Sequence, residues 1–135
     1  MSAKIILPRI LQIGAGASKE VGVILKSMGL RRPLIVTDKI MVQLGYIECI
    51  MECMSDVEIS ADVFDDTVPE PTVSSIQAGV DQVHDGHYDC IIALGGGSPI
   101  DSAKAIAILG KYGGEMRDYK FPRIVDEPGL PIIAI

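Results

Sequence analysis

The stretch of this chain richest in chemistry is Gly95-Gly96-Gly97-Ser98-Pro99-Ile100-Asp101. Three consecutive glycines let the backbone take positive φ and bring its amides close to a bulky anion. They follow Cys90-Ile91-Ile92-Ala93-Leu94, an uninterrupted apolar run, and precede a helical pattern. Ser98 is expected at the N-cap, Pro99 at the first helical position, and Asp101 three residues past the cap. That order is a capping-box arrangement with Asp in place of Glu or Gln. A helix opening this way aims its free N–H groups and the positive end of its dipole at the loop, where a phosphate or pyrophosphate complements both. Bare glycines equally make a tight turn; the sequence of buried strand, triglycine and apolar helix favours the phosphate site.

Asp38 closes a second apolar run, Leu34-Ile35-Val36-Thr37. A carboxylate at that point can accept from a ribose diol and repels a 2′-phosphate, so the expected nucleotide is NAD rather than NADP. Asp is also a good N-cap for the helix that follows, and both roles are compatible. Gly14 and Gly16 form another glycine pair, but Lys19 stands where a dinucleotide fingerprint needs its third glycine. The pair reads as an ordinary turn that can still line the same cleft. His84 and His87 share a helix face near Gly86 and read as exposed residues rather than metal ligands, while Cys49, Cys53 and Cys90 read as small core residues.

These groups need a frame. Ile5 to Ile13 is expected as a strand or hairpin, and Ala17 to Met28 as a helix ending at Gly29. Leu34–Val36 follows as a buried strand. Ile40 to Met54 is helical with a break at Gly45, Val57 to Phe64 a strand, and Pro69-Glu70-Pro71 a stiff linker. Val73, Ile76, Val80 and Val83 mark one face of a third helix. Cys90–Leu94 is expected as a central parallel strand covered on both faces, Pro99–Leu109 as a nearly all-apolar helix, and Leu130–Ile135 as a last strand. Alternating strands and helices with crossover-length connections imply an α/β fold, a mainly parallel sheet flanked by helices, as one dinucleotide-binding domain over residues 1–135.

Composition narrows the class. The chain has 135 residues, 48% of them apolar, and a net charge of −6. An acidic chain without a basic stripe is not expected to bind nucleic acid. No run approaches the ~20 apolar residues that cross a bilayer, and Pro8 and Arg9 interrupt the N-terminal apolar stretch, so neither membrane nor secretion is expected. An odd cysteine count of three fits a reducing cytoplasm. Pro-Ile-Ile-Ala-Ile is an unusual place for a strand to stop, and the chain is expected to be a piece of a longer protein.

The triglycine block through Lys104 resembles the signature loop of the iron-containing (group III) alcohol dehydrogenases. The resemblance extends over Gly14-Ala15-Gly16-Ala17, the Ile-Val-Thr-Asp-Lys strand end, Val-Pro-x-Pro-Thr at 68–72 and Gly-Gly-Glu-x-x-Asp-Tyr at 113–119. It implies a Rossmann-like NAD-binding domain followed by an all-helical domain, absent here, that holds iron or another divalent metal through one Asp and three His. In that enzyme class the metal polarises an alcohol oxygen and a hydride passes between a primary alcohol or aldehyde and the nicotinamide. By position, Gly96, Gly97 and Ser98 would hold the pyrophosphate, Asp38 the adenosine ribose, and Asp101 would lie near the nicotinamide end; Lys104 would pair with Asp101. Glu70 departs from the Asn common between the two prolines. The resemblance further implies a homodimer or larger homo-oligomer, with Ile5–Leu7 available to pair with a second copy, and no activity for this polypeptide alone. A non-catalytic nucleotide-binding module, or a receiver-like domain with Asp38 as phosphoacceptor, are the competing classes; the latter leaves the triglycine loop without a purpose.

Overall fold

The computed structural model describes residues 7–120 and 122–135. Its centre is a four-stranded parallel sheet in the order β2-β1-β3-β4, formed by β1 (Pro33–Val36), β2 (Asp62–Phe64), β3 (Cys90–Ala93) and β4 (Ile132–Ala134). β1 and β3 have every residue buried, as continuous apolar runs inside a parallel sheet should. Helices cover both faces. On one, α4 (Val73–Gly86) and α5 (Gly97–Tyr112) pack Ile76, Val80, Val83, Ala103 and Ile106 against Leu34, Val36, Ile91 and Ala93. On the other, α1 (Val21–Ser27) and α3 (Tyr46–Ser55) pack Val21, Leu25, Ile50 and Met54 against Ile35, Cys90 and Ile92. Alternate residues of each inner strand thus serve opposite layers. Close approach of the helices depends on glycine at two points. A Cβ at Gly22 would lie 2.4 Å from the Cys53 carbonyl oxygen, and one at Gly79 would lie 2.3 Å from Ile106 Cδ1.

Local signals set most element ends. α1 closes in a Schellman turn: Gly29 at φ 72 donates to the Lys26 carbonyl, and Leu30 N–H returns to the Leu25 carbonyl. Gly45 at φ 78 separates α2 (Lys39–Gln43) from α3, the break expected there. Thr72 and Ser75 form a reciprocal capping box at the start of α4.

Four expectations need correction. Of the strand or hairpin expected over Ile5 to Ile13, Ile5 and Ile6 lie outside the described residues, and Leu7–Ile13 forms no strand; Leu7, Leu11 and Ile13 are well exposed, and none of the described strands pairs with them. The strand expected from Val57 shortens to Asp62–Phe64, because α3 winds down through Glu58 at φ 62 and Ile59 N–H returns to the Met54 carbonyl. Val73 is exposed rather than on the buried face of α4. Cys90 is a core residue as expected, whereas Cys49 is exposed and Cys53 half-buried. Among the described residues no helix is long and apolar enough to cross a membrane.

Candidate nucleotide-binding site

The chain runs from β1 outward to β2, then crosses back to β3 on the other side of β1. The connections leaving β1 and β3 therefore go to opposite faces, α2 and α3 to one and α5 to the other. Their carboxyl ends diverge and leave a crevice, the place where open parallel sheets bind ligands. Asp38 follows β1 and the triglycine loop follows β3, so both stand at this crevice.

Asp38 uses one oxygen to cap α2: Met41 N–H donates to Oδ1 at 2.9 Å. Its other oxygen, Oδ2, lies 3.7 Å from where a Cβ on Gly95 would be, and so faces the loop. The capping role and an outward-facing acceptor are thus both present. Gly95 has φ 131 and a Cβ there would stand 3.1 Å from Pro99 Cγ, so glycine is needed for the backbone itself. Gly96 and Gly97 are different. Neither has positive φ, and a Cβ on either would meet nothing within 4 Å. The absent side chains leave open room directly in front of the first amides of α5.

The helix start differs from the expected one. α5 begins at Gly97 with Gly96 as N-cap, and no side chain caps it. Ser98 is inside the first turn; its hydroxyl donates to the Pro69 carbonyl at 2.9 Å. Pro99 falls at the third helical position, where a missing N–H costs nothing because first-turn donors have no intrahelical acceptor. Asp101 closes no capping box; its Oδ1 accepts from Lys104 Nζ at 3.1 Å on the exposed side of α5, the pairing anticipated for Lys104. The helix end is therefore uncapped, and the amides of Gly97 and Ser98 are free for an anion. The structure brings together Asp38, Gly95–Ser98 and, through Ser98, the Pro69-Glu70-Pro71 segment, with Glu70 exposed. Asp101 lies one turn further along α5, where its side chain pairs with Lys104.

Two residues with no anticipated role hold the crevice in register. Thr37, fully buried, donates through Oγ1 to the Leu94 carbonyl at 2.8 Å, joining the ends of β1 and β3. Thr67 Oγ1 donates to the Thr37 carbonyl at 2.7 Å, and Thr37 N–H to the Phe64 carbonyl. The signal was a hydroxyl at the end of an otherwise apolar strand, which needs a partner once buried. Beside Gly95 opens a cleft of about 380 Å³, within the size range of ligand pockets, lined in part by Ser18, Met41, Cys49 and Ile135. Ser18, two residues beyond Gly16, lines this cleft, whereas Gly14 and Gly16 do not. The same crevice places an ion pair behind Asp38: Lys39 Nζ is 2.9 Å from Asp66 Oδ1.

A metal does not fit these residues. Among those described, no three His, Cys, Asp or Glu side chains group together. His84 bonds the Gly110 carbonyl through its ring, and His87 caps α4 in the left-handed conformation.

A parallel sheet with helices on both faces and a glycine loop at its switch point is a Rossmann-like fold, the fold of the nucleotide-binding half of many dehydrogenases. The chain belongs to the iron-containing alcohol dehydrogenase family, whose family model matches residues 8–135. It is 34% identical over 129 residues to the NAD-dependent methanol dehydrogenase of Bacillus methanolicus, covering 96% of this chain and 34% of that protein. Its fold matches the crystal structure of sulfoacetaldehyde reductase from Bifidobacterium kashiwanohense in complex with NAD+ at a TM-score of 0.88, with 28% identity, over 99% of this chain and 35% of that one. It also matches that of a 1,3-propanediol oxidoreductase at a TM-score of 0.93, with 26% identity, over 99% of this chain and 35% of that one. The chain spans about a third of the length of the curated relatives it matches.

Proposed function

We propose that residues 1–135 are the NAD-binding domain of a cytoplasmic alcohol dehydrogenase that interconverts a small primary alcohol and its aldehyde. In this reading Gly96, Gly97 and Ser98 hold the pyrophosphate, Asp38 accepts from the adenosine ribose, and Asp101 lies toward the nicotinamide. The observation that carries it is the meeting of Asp38 Oδ2 with the triglycine loop at the switch point of the sheet. A dinucleotide needs an anion cradle and a ribose acceptor within one crevice, and the uncapped start of α5 and the free oxygen of Asp38 support that reading of this one. Relatives named for NAD dependence and for an NAD+ complex support the choice of nucleotide. Three free thiols support a reducing compartment.

This chain's part of the reaction is to bind and orient. The amides at the start of α5 neutralise the pyrophosphate, and the carboxylate of Asp38 fixes the ribose and so the direction in which the dinucleotide lies. The chain spans about a third of the length of its relatives, and iron, most contacts to the alcohol and assembly into a homo-oligomer are assigned in this reading to the remainder of that length. The 135-residue chain alone is therefore expected to bind nucleotide and to turn over no alcohol. Calorimetric titration with NAD and with NADP, followed by addition of a primary alcohol, tests this in one series. Tighter binding of NADP would remove the ribose role of Asp38; alcohol-dependent NADH formation would show that the chemistry does not need the rest of the protein.

A further inference from the structure

Lys39 is the residue directly after Asp38, and it begins α2. A cation at the positive end of a helix dipole is unfavourable there unless something compensates. The compensation is Asp66, whose Oδ1 stands 2.9 Å from Lys39 Nζ. An antiparallel bridge joins Asp38 to Asp66, so the backbone of the lysine's partner runs beside that of the ribose carboxylate. Asp65 adds to the field: the Lys39 ammonium is held protonated above its ordinary range, first by its hydrogen bond to Asp66, then by attraction to Asp66 and Asp65. The end of the crevice at β1 thus carries three carboxylates, Asp38, Asp65 and Asp66, and a lysine already committed to one of them.

We propose that Asp66 is a specificity-determining residue, holding the Lys39 ammonium away from the ribose 2′ position so that a 2′-phosphate meets carboxylates there and no free cation. This rests on the reading of Asp38 as the ribose ligand and extends it to a second layer of residues. A lysine beside a ribose is the natural recognition element for a 2′-phosphate, since its compact charge on a four-carbon stem can swing to reach one. Both partners of the pair are largely exposed, at 66% and 63% of their side-chain surface, so the pair is a weak tether rather than a structural support. Removing the charge of Asp66 frees the lysine without disturbing the fold, because the bridge to Asp38 is made by backbone atoms.

The test compares the wild-type chain with D66N, K39A and the double variant D66N/K39A, each titrated with NAD and with NADP. D66N is expected to raise the NADP affinity relative to NAD by about five-fold, the scale of an exposed ion pair released to a new partner. D66N/K39A is expected to return to the wild-type ratio. An unchanged ratio in D66N overturns the proposal. So does a gain that persists in D66N/K39A, since it would then come from lost negative charge alone and not from a freed lysine. Wild-type chain that binds neither dinucleotide would instead overturn the ribose reading of Asp38, and the role of Asp66 with it.

Discussion

The β1–β3 pair is finished in opposite ways at its two ends. At the amino end, both oxygens of Asp89 are taken: Arg31 N–H donates to one at 2.8 Å and Arg32 N–H to the other at 3.0 Å. Asp89 N–H donates back to the Arg32 carbonyl, and the Arg32 guanidinium donates to the Gly86 carbonyl at 2.8 Å. Donors and acceptors there answer one another. At the carboxyl end, Asp38 spends one oxygen on its helix and turns the other to a loop whose last two glycines, Gly96 and Gly97, face open space. The first amides of α5 have no intrahelical acceptor and no side-chain cap. One end is closed and contributes stability; the other forgoes that stability, and in the proposed reading its polar groups serve the nucleotide.

Filling the open end should have the largest effect. Gly97→Val adds a branched side chain at a position where a Cβ would meet nothing within 4 Å, so the thermal midpoint should move little. The dinucleotide, however, would lose its approach to the amides. Two charge-assisted hydrogen bonds lost correspond to a fall in NAD affinity on the order of a hundred-fold or more. Gly95→Ala is the contrasting change: at φ 131, and 3.1 Å from Pro99 Cγ, it should destabilise the fold by roughly 1–3 kcal/mol through backbone strain. If Gly97→Val binds NAD like the wild type, the triglycine is only a turn, and the two ends do not differ in kind.

The stitch beneath the open end comes next. Thr37→Val removes the hydroxyl that joins β1 to β3 and leaves the Leu94 carbonyl without that donor, at a cost of about 1–3 kcal/mol. A thermal melt several degrees lower checks this. Thr37→Ser should recover most of the loss, because it restores the donor; a serine variant as unstable as the valine one would trace the effect to packing instead.

Where the strength of a signal came from decides what was legible in the sequence. Leu34–Val36 and Cys90–Leu94 could be read as buried parallel strands because burial on both faces leaves no polar position in either run. Gly29 and Gly45 marked helix breaks because their left-handed conformation favours glycine. The crevice itself followed from two local motifs, Asp38 and the triglycine. What local rules could not supply was the competition between partners. Ser98 has the right residue type for an N-cap, yet its hydroxyl goes to Pro69, which lies in a different connection. Glu58 takes the left-handed turn that a glycine would be expected to take, which shortens β2. Leu7–Ile13 has strand-like composition, but no neighbour among the described residues pairs with it. The Ser98 contact and the missing partner of Leu7–Ile13 are matters of residues distant in sequence; the turn at Glu58 is local, in a residue type that does not signal it.

The smallest expected effect tests the closed end by itself. Burial pushes the Asp89 carboxyl upward, but the amides of Arg31 and Arg32 outweigh it and hold the group below its ordinary value of 3.8. A carboxyl depressed on folding contributes stability above its unfolded value, and that contribution is lost as pH falls through the folded value. The wild-type melting temperature should therefore drop in the acid range below about pH 4, in part through this one group. Asp89→Asn keeps an acceptor but not the charge, so it should melt lower at neutral pH and lose less of its stability on acidification. NAD binding at neutral pH should be unchanged, because Asp89 is at the far end of the strands from the crevice. Melts of the two chains that stay parallel down the whole acid limb would show that the charge of Asp89 contributes nothing, and that hydrogen bonding alone closes the amino end.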